Sequence, residues 1–239
     1  LAGRLPEAQR FFLDVLPASE ETDEYLVPAY SPLGDRRVVN VASYALVALA
    51  QTRAFADAAT RPRVDTAIRK LYAFVRRTQR PDGAWLYALD GPPFIDCFHS
   101  CIVLKNLIKA SGEIELPGVD AVVARGCDYV FAAFRDPAAG LYRRFTLANK
   151  PSPVRFDLYD NAEVINLLVL RGEIAAATAL EARVAATFVA GTDIYSVIDR
   201  FGLRRNRNHL RWAALPYLHA VVALHAASAR PPAVAGGPA

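Results

Sequence analysis

Apolar residues recur at spacings of three and four in eight separate stretches of this chain, a period that commits most of it to helices with one buried face. The clearest stretch runs from Val119 to Phe134, with apolar side chains at 119, 122, 123, 130, 131 and 134. The same period marks about 6–16, 40–53, 63–78, 97–110, 158–171, 174–190 and 209–228, each bounded by Pro, Gly, Asp or Asn. Strand signals are weak: Trp85-Leu86-Tyr87 and Leu141-Tyr142-Arg143 suit only small extended pieces. The expected fold class is all-α. With 239 residues, 53% of them apolar and 22% charged, the chain has ample material for one core. It reads as a single domain over 1–228, followed by an aperiodic, disordered tail over 229–239.

Composition excludes several function classes. No window approaches eighteen uninterrupted apolar residues and no basic-then-apolar leader opens the sequence, so no membrane span is expected and the chain reads as cytoplasmic. Cys97, Cys101 and Cys127 cannot all pair internally and read as reduced thiols. The net charge of +4 is scattered among acids, which argues against a nucleic-acid partner. Methionine is absent even at position 1, so an N-terminal segment is expected to precede Leu1.

The connections alternate in length. Residues 54–62, 111–118 and 172–173 are short links that make antiparallel hairpins, whereas 17–39, 79–96, 135–157 and 191–208 are long and rich in Gly, Pro, Asp and aromatics. Loops of that length are uncommon unless they carry function. The helices after the long loops open alike. Asp96-x-x-His99-Ser100 matches Asp157-x-x-Asp160-Asn161 at an offset of 61, and Asn40-x-x-Ser43-Tyr44 and Asn208-x-x-Arg211-Trp212 extend the series. Residues i and i+3 share a helix face, so each helix starts polar on a stripe that turns apolar deeper in. Capping accounts for the first member of each pair, but not for the second. Helical hairpins with a period of 50–60 residues and inner helices around a polar mouth describe an α/α toroid of about four hairpins, an incomplete ring or part of a larger one.

Gln79-Arg80-Pro81-Asp82-Gly83-Ala84-Trp85 closes one of these helices. This Q-x-x-D-G-x-W string resembles the QW signature of the cyclase and prenyltransferase superfamily. With Tyr87, Phe94, Asp96 to Ser100 and Arg211-Trp212, it is most similar to bacterial toroid proteins associated with polysaccharide biosynthesis. The resemblance covers about 79–225 and implies a toroid fold, with chemistry open to cyclases, prenyltransferases, glycosidases and lyases. The D-x-D-D acid of cyclases and the D-D-x-x-D diphosphate site of prenyl synthases are both missing. Asp96-Cys97-x-His99-x-Cys101 invites zinc, but Cys101 points about 200° away from His99 on a helix, so no metal and no cofactor are expected.

If the inner helix starts converge, Asp96, His99, Asp157 and Asp160 are the catalytic candidates. Carboxylates about 5–9.5 Å apart would suit glycoside cleavage. A His beside an Asp would instead abstract a proton next to a uronate carboxylate, with Arg211 neutralising the developing enolate, which is lyase or epimerase chemistry. Trp85, Tyr87, Tyr142 and Trp212 would offer ring platforms, and Asn161 and Glu163 further polar contacts to substrate. Three readings follow: an acid–base enzyme on a glycan or small sugar (hydrolase, lyase or epimerase), a non-catalytic glycan- or protein-binding toroid, and an isoprenoid enzyme of the terpene cyclase or prenyltransferase kind.

Overall fold

The computed structural model describes residues 4–148 and 150–229, so most of the expected tail, 230–239, lies outside the described residues. In chain order the elements are α1 (Leu5–Arg10), β1 (Ala18–Glu21), β2 (Leu26–Pro28), α2 (Val39–Thr52), α3 (Arg61–Arg77), β3 (Ile95–Asp96), α4 (Cys97–Ser111), α5 (Val119–Ala133), β4 (Arg135–Asp136), β5 (Leu141–Tyr142), β6 (Phe145–Leu147), β7 (Val154–Asp157), α6 (Leu158–Leu170), α7 (Ile174–Phe188), β8 (Val189–Ala190), β9 (Asp193–Asp199), β10 (Arg204–Arg207) and α8 (Leu215–Ser228). All eight periodic stretches are helical, and the six that stay α-helical throughout have ends within about two residues of those read from the sequence.

The chain divides into two compact units. The first comprises Leu1–Arg135 and Arg143–Ser152, the second Asp136–Tyr142 and Pro153–Ala239. In the first unit α2 packs on α3 and α4, and α4 on α5, so the short links do make helical hairpins. Leu46, Leu49, Ile68, Leu71, Phe74, Leu104 and Leu107 fill its core. α3 shows the sequence logic: Val64, Ile68, Leu71 and Val75 face inward, while Arg61, Arg69, Arg76 and Arg77 stay outside and Pro62 sits in the first turn, where its missing N–H costs nothing. A polar bridge crosses the interior between α2 and α4, where Asn106 Nδ2 donates to Ser43 Oγ at 3.0 Å. In the second unit α6 is central, packed by α7 and α8 and buried from Asp160 to Leu168.

The expected fold class needs correction. Residues 191–208 form no loop: β9 pairs antiparallel with β10, β7 and β8, so the fold is helical with a real strand content rather than all-α. The run Ile194-Tyr195-Ser196-Val197-Ile198 has strand propensity, but its partner Arg204–Arg207 is fully exposed and carries no apolar alternation to betray it. The last helix changes type along its length: Leu210–Ala214 forms a π-helical turn that runs directly into α8 at Leu215, which places Pro216 in the first α-helical turn.

Candidate functional site

The sequence motif at the end of α3 is a clasp onto α5. Gln79 Nε2 donates to Gly83 O at 3.1 Å and to Val122 O at 2.9 Å, and its Oε1 accepts from Arg125 at 2.7 Å. Gly83 has φ +92° and lies so close to Arg125 that a Cβ would sit 2.2 Å from the Arg125 carbonyl oxygen. Trp85 lies over Gly126, where a Cβ would meet the indole at 2.8 Å, and donates Nε1–H to Val75 O at 2.8 Å. The Trp85 ring is therefore buried structure and not the open sugar platform expected from the sequence.

The clasp delivers the chain to a cleft at the starts of α2 and α4. Val39 N–H donates to Tyr87 O and Tyr87 N–H to Phe94 O, both at 3.0 Å, stitching the 79–96 segment to α2. β3 pairs with β6, and Cys97 N–H donates to Arg144 O at 2.9 Å, which fixes the entry to α4. The resulting cleft is lined by Asn40, Trp85, Tyr87, Asp96, His99 and Ser100, with Val39 and Val103 as apolar wall. It leaves ≈ 10 Å³ for the centre of a water-sized sphere, room for one water or one substrate oxygen.

Asp96 does two things there. As the N-cap of α4 it accepts from His99 N–H at 3.1 Å, and its carboxylate lies 2.9 and 2.7 Å from His99 Nδ1. A buried carboxylate at Nδ1 makes that nitrogen the protonated one and leaves Nε2 as the lone-pair nitrogen. Nε2 has no hydrogen-bond partner among the described residues, and the side chain is 20% exposed at the cleft. The imidazole is held by two tilted rings: Tyr87 and Phe98 centroids lie 4.4 and 3.8 Å away, and Phe94 stacks on Tyr87 at 4.6 Å. Burial pushes the Tyr87 hydroxyl up, so it stays protonated at neutral pH, with Tyr30 and Arg36 close by. Sequence reasoning passed over Tyr30 and Arg36, which carry no motif, quoted Ser100 only as part of a repeated helix start, and took Asn40 for a cap. Val38 is the N-cap of α2, and Asn40 points its amide into the cleft wall.

The remaining candidates lie in the second unit. Asp157 is the N-cap of α6 and accepts from Tyr159 N–H at 2.8 Å. Asp160 and Glu163 are buried in the opening turns of α6. Asn161 is committed to the backbone: its Oδ1 accepts from Tyr142 N–H at 2.9 Å, and its Nδ2 donates to Tyr142 O and Asp157 O at 3.1 and 2.9 Å. That corrects the substrate-contact roles of both Asn161 and Tyr142, whose ring is buried. Trp212 is 47% exposed, with Tyr159 5.8 Å and the Arg211 guanidinium 4.8 Å from its ring. Asn208, expected to cap this last helix, is left-handed (φ 55°), and His209 caps instead. Arg155 pairs with Asp136 at 3.7 Å.

The sequence matches no family model and no curated protein. Solved structures do resemble it. A GH76 α-mannanase from Bacteroides thetaiotaomicron superposes with a TM-score of 0.64 at 9% identity over 94% of this chain and 68% of that one. A D-mannose isomerase gives 0.64 at 15% identity, over 85% and 56%. Cellobiose 2-epimerase from Spirochaeta thermophila gives 0.63 at 9% identity, over 85% and 58%. The shared helical hairpins are of the α/α-toroid kind. At these identities the likeness is one of fold, and the chain spans little more than half the length of the isomerase and the epimerase. None of the three is a terpene cyclase or a prenyltransferase.

Proposed function

We propose that the chain is a sugar-acting enzyme that moves a proton next to a sugar carbonyl, the chemistry of aldose isomerases and epimerases, with His99 as base and Asp96 as its positioning residue. The observation that carries this reading is the 2.7 Å contact between Asp96 and His99 Nδ1, which leaves Nε2 bare at the cleft. In the step envisaged, Nε2 takes the proton from the carbon beside the carbonyl. The C–H electron pair becomes the enediolate double bond, and the carbonyl π pair moves to its oxygen. Returning the proton from His99 to the neighbouring carbon, with transfer of the hydroxyl proton, completes an aldose–ketose exchange with one base. The fold likeness to an isomerase and an epimerase supports the same class.

Glycoside hydrolysis is the second reading. It is favoured by the two buried carboxylates Asp157 and Asp160 in the opening turn of α6, beside the exposed Trp212 and Arg211 of the same unit. Within the first unit, however, the only cleft carboxylate, Asp96, is occupied in holding His99, and two-carboxylate cleavage needs a second. The test is NMR in D2O with D-mannose, D-glucose and cellobiose. Loss of the C2 proton signal that depends on the enzyme and disappears in His99→Ala is expected. Release of reducing sugar from mannan without any C2 exchange would overturn the proposal in favour of hydrolysis.

A further inference from the structure

The cleft beside His99 contains a polar group that the folded protein leaves without employment. The Asn40 Oδ1 atom is buried and has no hydrogen-bond partner, and Asn40 Nδ2 has none among the described residues either. The amide can be turned end for end without changing this, since both of its ends lack partners. Burying an amide oxygen with no partner costs free energy that an apolar side chain of similar size would not. Of the other polar groups of the cleft, Ser100 Oγ donates to Asp96 O at 2.6 Å, the Asp96 carboxylate is held by His99, and the Tyr87 hydroxyl has Tyr30 close by. Hydrogen-bonding capacity at this cleft that no described residue takes up includes the Asn40 amide and His99 Nε2, around a space that admits one oxygen atom.

We infer that Asn40 is a substrate-binding residue whose amide receives one hydroxyl of the sugar inside the cleft, beside the carbon that His99 deprotonates. An amide offers one acceptor and a pair of donor hydrogens, and a sugar hydroxyl both donates and accepts, so the two are complementary where a carboxylate or an ammonium would read only half of the group. A deoxy sugar lacking that hydroxyl would leave the amide as unpaired as it is in the free protein. Discrimination against it follows from the same desolvation cost. This inference rests on the proton-transfer reading, and its test separates the two.

The test uses the full chain carrying Asn40→Leu, with Asn40→Ala as a second variant and His99→Ala as reference. Because no protein partner is lost, Asn40→Leu is expected to keep the melting temperature or raise it by about 2 °C, while raising KM for the exchanging aldose by about 10-fold or more. A fall of several degrees in both Asn40 variants would overturn the inference by showing Asn40 to be structural. If wild type exchanges the C2 proton, His99→Ala does not, and Asn40→Leu keeps the wild-type KM, the inference fails while the reading stands. If the wild type exchanges no proton with D-mannose, D-glucose or cellobiose, the reading itself fails and takes the inference with it.

Discussion

On the proposed function, Asp96 serves both fold and chemistry. As an N-cap it satisfies a helix N–H, and Asn would do that nearly as well. As a partner of His99 it supplies a negative charge that Asn cannot. Asp96→Asn is therefore expected to change the melting temperature by little, while lowering C2 proton exchange by about 10²- to 10⁴-fold. Exchange at the wild-type rate would reduce Asp96 to a cap. Asp199 is a second case of a carboxylate that organises backbone. Its Oδ1 accepts from Phe201 and Leu203 N–H, both at 2.9 Å, and Oδ2 from Arg205 at 3.0 Å. The Leu203 backbone bond above all, together with Arg205 and Phe201, holds its carboxyl below the ordinary 3.8. A depressed value means that the stabilisation is complete above 3.8 and is lost as pH falls through the folded value. In a titration from pH 6 to 2, the Phe201 and Leu203 amide resonances should move with a common midpoint below 3.8. A midpoint at or above it would contradict the turn.

At the scale of elements, the clasp between α3 and α5 is the feature most open to mutation. Gly126 leaves no room for a methyl group between Trp85 and Leu104, where a Cβ would come within 2.7 Å of the leucine. Gly126→Ala is expected to destabilise by about 1–3 kcal/mol through overpacking. Gly83→Ala should cost at least as much, because the obstacle there is backbone and φ is positive. Chemical denaturation of both variants checks this, and midpoints equal to wild type would show that the hairpins tolerate slack. The string Gln79 to Trp85 was visible as a motif, but its partners Val122, Arg125 and Gly126 lie about 40 residues away and no local signal names them. The β9–β10 hairpin was missed for a related reason: an edge strand of exposed Arg and Asn gains its place from the neighbouring strand's hydrogen bonds, not from its own side chains.

For the molecule as a whole, apolar hairpin packing and not charge holds the fold. The ion pairs Arg37–Glu20, Arg53–Asp65, Arg63–Asp14 and Arg207–Asp193 join side chains that are each about a third or more exposed. Such pairs contribute between about 0 and 1 kcal/mol each and are screened by salt. Raising sodium chloride from 0.05 to about 1 M is therefore expected to shift the melting temperature by no more than about 3 °C. A much larger fall would place the arginines among the principal stabilising elements. Among the described residues no helix is long and apolar enough to cross a membrane.

Periodicity by itself marked the eight helical stretches, because a 3.6-residue period is a local property that survives in any context, and the lengths of the connections gave their hairpin pairing. It also flagged Asp96 and His99, since i and i+3 on one helix are neighbours by geometry alone. Only the tertiary structure decided which polar residues are spent. Trp85 and Asn161 look like ligands in the sequence and prove to be fastened to Val75 and Tyr142, whereas Asn40 looks like a cap and proves to be unoccupied. The reason is that a hydrogen bond is settled by what lies across from a side chain in space, and the chain brings those partners from tens of residues away.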